Sequence, residues 1–298
     1  MGSAHVDLAA RAAVLSGAVV SSAALSPQTS APIDRTPLAV LSALADKAFG
    51  PPLDFLDELG ATVLLAARAA TWMVRPPYRW AQLLIALDFI GAGSTFIVGL
   101  VGLFTGMAFT VSTIVGFRQF SAEGMVGGVV ALALSRELAP VLAAVVVTAR
   151  AGSTMASELG NMRVTEQIDA ITTMGVSPVQ YLVVPRVVAT TLMLPLLAVC
   201  FGMAGMTGAY LVAVVWQNID PGAFFDRIKD LVQPSDLRML GIKAFVFGLI
   251  ISVICCKKGF NASGGARGVG EATAKAVVAS IVVIFAADYV LTTLLTEI

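Results

Sequence analysis

Five long runs of apolar residues dominate this chain and constrain what it can fold into. An α-helix needs roughly 20 apolar residues to cross a bilayer, and each run is close to that length or longer. Within lipid a segment must satisfy its own backbone hydrogen bonds, so each run is predicted to be a membrane-spanning helix. The runs cover residues 89–115, 124–148, 182–215, 239–256 and 272–295.

The amino-acid composition supports this interpretation and excludes other classes of protein. The chain is 57% hydrophobic and 13% charged, whereas soluble domains carry about 25% charged residues. Its formal net charge of +0 gives no electrostatic basis for binding nucleic acid. The cysteines lie in apolar runs, so neither a disulfide framework nor a metal site is expected. They are Cys200, Cys255 and Cys256. The predicted fold class is an all-α membrane protein.

Lysine and arginine residues concentrate in three of the polar segments that flank the apolar runs. These segments precede the first run, separate the second from the third, and separate the fourth from the fifth. Five spans therefore place all three on one side of the membrane. Cytoplasmic loops carry the excess of Lys and Arg, which predicts a cytoplasmic N-terminus and a C-terminus on the opposite side. The basic residues are Arg68, Arg75, Arg79, Arg150, Arg163, Arg186, Lys257, Lys258, Arg267 and Lys275.

The N-terminal part of the chain divides into two segments that precede a membrane domain of residues 81–298. Residues 1–50 are rich in Ala, Ser and Pro and lack a hydrophobic period, which predicts a disordered tail. In residues 51–80, apolar residues recur at helical spacing, acidic residues lie near the start, and the sequence RPPYRW follows. This pattern is typical of an amphipathic helix that lies in the cytoplasmic membrane interface.

Three ionisable residues lie inside the predicted spans, namely Glu137, Lys243 and Asp288. A charge at the centre of a span costs at least ~2.5 kcal/mol, so such residues are candidates for function. One interpretation places them, together with Arg136, in a water-filled cavity that opens outward. The other is a Lys243–Asp288 ion pair that only holds two helices together. Pro140, one turn after Glu137, frees a backbone carbonyl, which favours the cavity.

A polar segment, residues 150–186, interrupts the apolar runs and is called the island below. Within it, residues spaced 4, 3 and 4 apart form one helical stripe, and polar residues form the opposite face. A short amphipathic helix is therefore predicted, with one face against the membrane helices and the other offered to the cytoplasm. An ordinary solvated loop helix is the alternative. The stripe comprises Val164, Ile168, Ile171 and Gly175, where the helix ends, and the polar face comprises Glu166, Asp169 and Thr173.

The run from Ser135 to Arg186 resembles the signature block of MlaE/YrbE-type permeases, the membrane subunits of Mce-associated lipid ABC transporters. It reads SRELAPVLAAVVVTARAGSTMASELGNMRVTEQIDAITTMGVSPVQYLVVPR. Shorter matches occur in colinear order elsewhere, and the resemblance covers residues 53–298. They are GLFTGM (102–107), KAFVFGLIIS (243–252), GGARGVGEAT (264–273) and DYVLTTLL (288–295).

The resemblance implies an assembly and a location for this chain. It implies a homodimer of permeases, two cytoplasmic ATPase subunits that bind ATP and Mg²⁺, and a periplasmic ring of MCE-domain proteins. A phospholipid is expected in an outward-open cavity between the two copies, in the bacterial inner membrane. No cofactor is expected on this chain itself. By motif position, Glu137, Lys243 and Asp288 match the intramembrane charged residues of the family.

The same resemblance implies that the island carries the helix that docks into the ATPase. Nothing in the sequence matches the P-loop pattern GxxxxGK[ST], so ATP hydrolysis is expected on a partner. The expected function is that of a transport subunit, not an enzyme. It would move phospholipid between the inner membrane and a periplasmic MCE carrier for outer-membrane lipid homeostasis. The residues expected to couple it to the ATPase are Arg163, Glu166, Ile168, Asp169, Ile171 and Gly175.

Two other functions are compatible with parts of the sequence. An ion-coupled secondary transporter would use the intramembrane charges as a relay. Such carriers usually contain repeated halves, and no internal repeat is found in this sequence. A chloroplast-envelope permease would fit the Ala/Ser-rich tail, but Asp7, Asp34 and Asp46 argue against a transit peptide.

Overall fold

The computed structural model describes residues 60–73 and 80–296, and all regular secondary structure in these ranges is helical. The predicted tail, residues 1–50, lies outside the described residues, as do residues 51–59 and 74–79 of the predicted interfacial segment. Within that segment residues 60–73 are helical and form α1. All described residues belong to one compact unit, Glu58–Ile298.

Seven helices follow α1 in the described part of the chain. Five of them, α2, α3, α5, α7 and α8, are long and apolar enough to cross a membrane, which confirms the five predicted spans. The other two are short and connect spans. The bounds are α2 Trp80–Arg118, α3 Glu123–Val164, α4 Gln167–Thr173, α5 Val179–Trp216, α6 Pro221–Leu231, α7 Pro234–Phe260 and α8 Gly265–Thr296.

Several spanning helices are longer than the apolar runs that predicted them. The largest difference is in α3, which was expected to end near residue 148 and instead continues to Val164. Hydropathy marks the part of a helix that lies in lipid, whereas the backbone hydrogen bonds continue as long as the residues tolerate them. Helix α6 was not predicted. It begins where the Asp220 side chain accepts a hydrogen bond from the Ala223 N–H, and Pro221 occupies its first turn.

Two of the spanning helices contain π-helical turns. In α3 these are Leu134–Leu138 and Thr148–Gly152. In α5 they lie at the two ends, Val179–Val183 and Leu211–Trp216. Such turns often mark functional sites because they locally rearrange the i→i−4 hydrogen bonds. The first of them contains two of the candidate residues, Arg136 and Glu137.

Glycines allow α2 and α5 to approach closely. A Cβ atom on Gly102 would lie 2.6 Å from the carbonyl oxygen of Phe201, and one on Gly106 would collide with the backbone of Gly205. Close backbone approach at small residues is the usual means of helix association in lipid.

Helix α7 is the most enclosed span, with 61% of its apolar window buried, whereas α8 has only 11% buried. At Gly248 an added Cβ would lie 2.8 Å from the Cα of Thr191 in α5. This contact sets α7 against α5 and holds the preceding turns of α7, including Lys243, inside the bundle. The core therefore surrounds α7, and α8 presents most of its surface outward.

Candidate functional site

The three intramembrane charges predicted from the sequence meet at one point of the bundle. Glu137 comes from the first π-helical turn of α3, Lys243 from the third turn of α7, and Asp288 from the last third of α8. The Lys243 side chain is completely buried, while the Asp288 side chain is 18% exposed and that of Glu137 is 40% exposed. These residues and their hydrogen-bonded neighbours are called the charge cluster below.

Lys243 is the centre of the charge cluster. Its Nζ lies 2.8 Å from Oε2 of Glu137 and 2.9 Å from Oδ1 of Asp288. It also donates to Oγ1 of Thr292 at 2.8 Å and to the carbonyl oxygen of Arg136 at 3.0 Å. A buried ammonium group is stable only when it is paired and its hydrogen bonds are satisfied. Lys243 therefore links three helices through one cation.

The carbonyl of Arg136 accepts from Lys243 because the helix does not use it fully. Pro140, four residues later, has no N–H to donate to this carbonyl. The π-helical turn changes the local pattern further, since the Ala139 N–H bonds the Leu134 carbonyl five residues earlier. The freed carbonyl expected from Pro140 in the sequence is thus the one that Lys243 reaches.

Asp288 is bound to Lys243 by charge and not by a hydrogen bond. An ammonium group has three donors, and Glu137, Thr292 and the Arg136 carbonyl use them. The Oδ1 atom of Asp288 is buried, and no described residue donates a hydrogen bond to it in spite of the 2.9 Å contact with Nζ. The ion pair leaves this oxygen able to accept one more hydrogen bond.

The side chain of Arg136 pairs with Asp236, a residue that was not predicted from the sequence as part of the site. Its Nε lies 2.7 Å from Oδ1 of Asp236, whose side chain is only 3% exposed. The other oxygen, Oδ2, accepts the backbone N–H of Gln233 at 2.8 Å and caps α7. The Gln-Pro-Ser-Asp sequence at 233–236 carries this capping pattern, which could have identified Asp236 as a structural residue.

Thr292 is the second residue of the site that was not predicted from the sequence. It lies four residues after Asp288, on the same face of α8, and its hydroxyl also bonds the Asp288 carbonyl at 2.8 Å. The i, i+4 spacing from an intramembrane acid is a signal that could have identified it. A threonine hydroxyl in that position both accepts from Lys243 and stabilises its own helix.

The Lys243–Asp288 ion pair, which was one of the two interpretations of the intramembrane charges, is present in the structure. Glu137 forms a second ion pair with the same lysine. Within the described chain the cation is fully enclosed, so Lys243 itself meets no open space. Glu137 differs, because 40% of its side chain remains exposed next to a buried positive charge. Of the three charged residues, Glu137 is therefore the one that a mobile molecule can reach most readily.

The island lies at the far end of α3 and differs in detail from its prediction. Val164 is the last residue of α3, not part of the connecting helix, and α4 comprises only Gln167–Thr173. The reason is Glu166, whose positive φ of 59° breaks the helix between them. Left-handed backbone is uncommon for a residue other than glycine. The predicted single stripe is thus divided between two helices.

The apolar side of α4 packs against the membrane helices as expected. Ile168 is 4% exposed and belongs to a buried cluster that includes Leu159, Leu182 and Val253, with Ile171 packed against it. Gly175 ends α4 with a φ of +76°, a conformation typical of a helix C-terminus. The short helix is therefore held in a fixed position relative to α3, α5 and α7.

The polar side of α4 is exposed. Asp169 accepts a hydrogen bond from Arg163 at 2.6 Å, and both side chains are well exposed, as is Glu166. An exposed pair of this kind contributes little to stability. It does connect α4 to the last turn of α3, so the two helices present one surface that carries both charges.

Comparison with known proteins decides the family. The family model described as Permease MlaE matches residues 83–294, which include the charge cluster and the island. The chain belongs to the MlaE permease family. It is therefore a multi-pass membrane protein and the permease subunit of an ABC transporter. Membership of an ABC transporter permease family implies an ATPase partner.

Individual relatives agree with the family model. A probable ABC transporter permease protein of Rickettsia conorii is 38% identical over 80% of this chain and 93% of its own length. One from Synechocystis is 41% identical over 70% of this chain and 80% of its own length. The Arabidopsis thaliana protein named TRIGALACTOSYLDIACYLGLYCEROL 1, chloroplastic, is 40% identical over 76% of this chain and 65% of its own length.

Proposed function

We propose that this MlaE-family permease moves phospholipid, or a related membrane lipid, between the bacterial inner membrane and a periplasmic MCE-domain carrier. The observation that carries the proposal is the charge cluster, where Glu137 stays 40% exposed beside the buried ammonium of Lys243. Ionisable groups inside a membrane protein mark the path of a polar or charged cargo. A lipid headgroup is such a cargo, and its chains suit the apolar surfaces on either side.

The name of the Arabidopsis relative supports a lipid cargo. That name contains trigalactosyldiacylglycerol, a glycolipid, and the relative is 40% identical over 76% of this chain. The two proteins need not carry the same headgroup. A diacylglycerol body is common to galactolipids and phospholipids, so a shared fold is suited to either.

A second copy of this chain is proposed to complete the lipid site. Helix α8 carries Asp288, yet only 11% of its apolar window is buried within one copy. Large apolar side chains on its surface include Phe285 and Tyr289, which are 54% and 73% exposed. In a homodimer such a surface would face the partner permease or the lipid held between the two copies.

The island is proposed to transmit the movement of the ATPase to the spans. Closure of two cytoplasmic ATPase subunits with bound ATP and Mg²⁺ would push on Asp169, Glu166 and Arg163. Because Ile168 and Ile171 are packed against α3, α5 and α7, this movement would reach the spanning helices as a rigid displacement. The proposed orientation has the N-terminus and the island in the cytoplasm and the C-terminus in the periplasm.

The test is lipid transfer by the permease reconstituted with its ATPase in proteoliposomes. The vesicles contain a fluorescent phospholipid, and transfer to an MCE-domain protein is measured with ATP and with a non-hydrolysable analogue. Transfer that needs hydrolysis supports the proposal. Transfer that proceeds without the ATPase and follows a proton or sodium gradient would instead establish the alternative, an ion-coupled carrier that uses Glu137, Lys243 and Asp288 as a relay.

A further inference from the structure

A cavity of about 260 Å³ lies at the island end of the bundle, between α2, α3 and α5. Glu158 at its edge is 21 residues after Glu137 along α3, which corresponds to roughly 30 Å at 1.5 Å per residue. The cavity is therefore separate from the charge cluster. It lies near α4, since Leu182 of its wall belongs to the same buried cluster as Ile168 of α4.

Most of the cavity wall is apolar. Ile85 in the wall is 69% exposed, so the cavity opens sideways to whatever surrounds the spans. By contrast, Ile90 and Met155 are 1% exposed and close its inner side. The main apolar residues are Ile85, Phe89, Ile90, Met155, Leu182 and Pro185.

Two buried polar atoms of the same wall have no hydrogen-bond partner among the described residues. They are Nη1 of Arg186 and Oε1 of Gln82. The other terminal nitrogen of Arg186, Nη2, donates to Oε2 of Glu158 at 2.8 Å. A buried donor or acceptor without a partner is costly, so a bound molecule that supplies the missing partners would be stabilised there.

We propose that this cavity binds the phosphate and headgroup of a glycerophospholipid. The phosphate would accept a hydrogen bond from Nη1 of Arg186, and a hydroxyl or ammonium of the headgroup would donate to Oε1 of Gln82. Arginine is well suited to phosphate because its guanidinium group stays charged and offers several donors. The acyl chains would leave past Ile85 into the bilayer, because the cavity is too small for a whole lipid.

The shape of the site distinguishes a lipid from a free anion. A free phosphate ion would fill only the polar corner and leave the apolar wall in contact with water. A phospholipid satisfies both parts, since its first methylene groups bury the exposed surface of Ile85 and Phe89. This inference rests on the proposed function in one respect. The orientation proposed there places the island end of the bundle at the cytoplasmic leaflet.

The experiment uses the full chain purified with its ATPase and a phosphatidylglycerol that carries a diazirine near the glycerol end of one acyl chain. After illumination, mass spectrometry locates the adducts. We expect adducts on the peptides that contain residues 82–90 and 181–186. Excess unlabelled phosphatidylglycerol should compete with labelling, whereas millimolar inorganic phosphate or a diacylglycerol of the same chains should not.

The Arg186→Met variant should lower labelling of these peptides about tenfold or more, the effect of losing a charged hydrogen bond. The Gln82→Leu variant keeps the Arg186–Glu158 pair and is expected to reduce labelling about threefold. An Arg267→Met variant removes the same charge from an exposed position outside the cavity and should label as the wild type does.

Two outcomes at the cavity itself would overturn the inference. One is equal labelling of the cavity peptides in the wild type and both cavity variants. The other is complete competition by inorganic phosphate, which would make the site one for a free anion. Labelling near Lys243 without labelling of the cavity would also contradict it while leaving the proposed function intact. If the wild-type permease is labelled at the cavity but transfers no lipid in the proteoliposome assay, the proposed function alone is contradicted.

Discussion

The ammonium group of Lys243 donates a hydrogen bond to the carbonyl oxygen of Arg136 at 3.0 Å, across two spanning helices. That carbonyl is available because Pro140 provides no N–H at the position where an α-helix would use it. The π-helical turn of α3 therefore provides an acceptor for the buried Lys243, and Lys243 satisfies a carbonyl that this turn leaves free. The same cation carries both ion pairs of the charge cluster, so its removal should affect α3, α7 and α8 together.

Lys243→Met is expected to destabilise the permease strongly. The change leaves Glu137 and Asp288 without a cation, and breaking a buried ion pair costs about 3–5 kcal/mol. The lower end applies, because Glu137 is 40% exposed and partly solvated. Thermal unfolding in detergent micelles measures the change. Lys229→Met, whose side chain is 77% exposed, is the control and should shift stability by under about 0.5 kcal/mol. Equal stability of the two variants would show that the cluster holds no helices together.

Asp236→Ala should destabilise the start of α7. The variant loses the cap on the Gln233 N–H and leaves Arg136 without its partner, which together cost about 2 kcal/mol. Asp226→Ala removes an acid whose side chain is 74% exposed and should change the unfolding free energy by less than about 0.5 kcal/mol. If Asp236→Ala unfolds at the same temperature as the wild type, the Arg136–Asp236 contact has no structural role.

Gly106→Leu is expected to force α2 away from α5. Any side chain at this position collides with the backbone of Gly205, and overpacking typically costs about 1–3 kcal/mol. Gly99→Leu in the same helix is the matched control, because an added Cβ meets no atom within 4 Å there. Yield and thermal stability of the purified variants are compared. The close approach of the two helices would be disproved if the two substitutions behaved alike.

The left-handed conformation of Glu166 leads to a prediction about the turn between α3 and α4. Its φ of 59° disfavours β-branched residues. Glu166→Val should therefore destabilise by about 1–2 kcal/mol. Glu166→Gly relieves the strain but increases the entropy of the unfolded chain, so its net effect should stay within about 0.5 kcal/mol. Unfolding midpoints of the two variants, measured side by side, decide this; a more stable valine variant would mean that the turn adopts another conformation.

The sequence allowed the spans to be predicted because apolar length is a direct consequence of bilayer thickness. It did not allow the end of α3 to be predicted, because residues 150–164 are polar enough to leave lipid and still helical. It also could not show that Glu166 breaks the helix, since nothing in a glutamate side chain specifies positive φ. For the same reason Val164 was assigned to the wrong helix.

The charge cluster was predictable in part. The cost of burying a charge identified Glu137, Lys243 and Asp288, and Pro140 indicated that a nearby carbonyl was free. Which of these groups meet depends on how α3, α7 and α8 rotate about their axes, and that rotation is set by glycine contacts such as Gly248 on Thr191. Thr292 and Asp236 carry local sequence signals, a position four residues after Asp288 and a capping pattern, but the groups that they contact across helices depend on that packing.

Lipid transfer and ATP hydrolysis, measured together in an Asp169→Arg variant, show whether the island couples the spans to the ATPase. Arg163 now faces a second cation at the surface that is proposed to meet the ATPase, and like charges at an interface cost several kcal/mol. The permease should still fold, because Asp169 is exposed and contributes little to stability. We predict that ATP hydrolysis continues while lipid transfer falls at least about tenfold. Asp226→Arg, in α6, should leave both rates unchanged. Unchanged lipid transfer by the Asp169→Arg variant would contradict the proposal that the island transmits the movement of the ATPase.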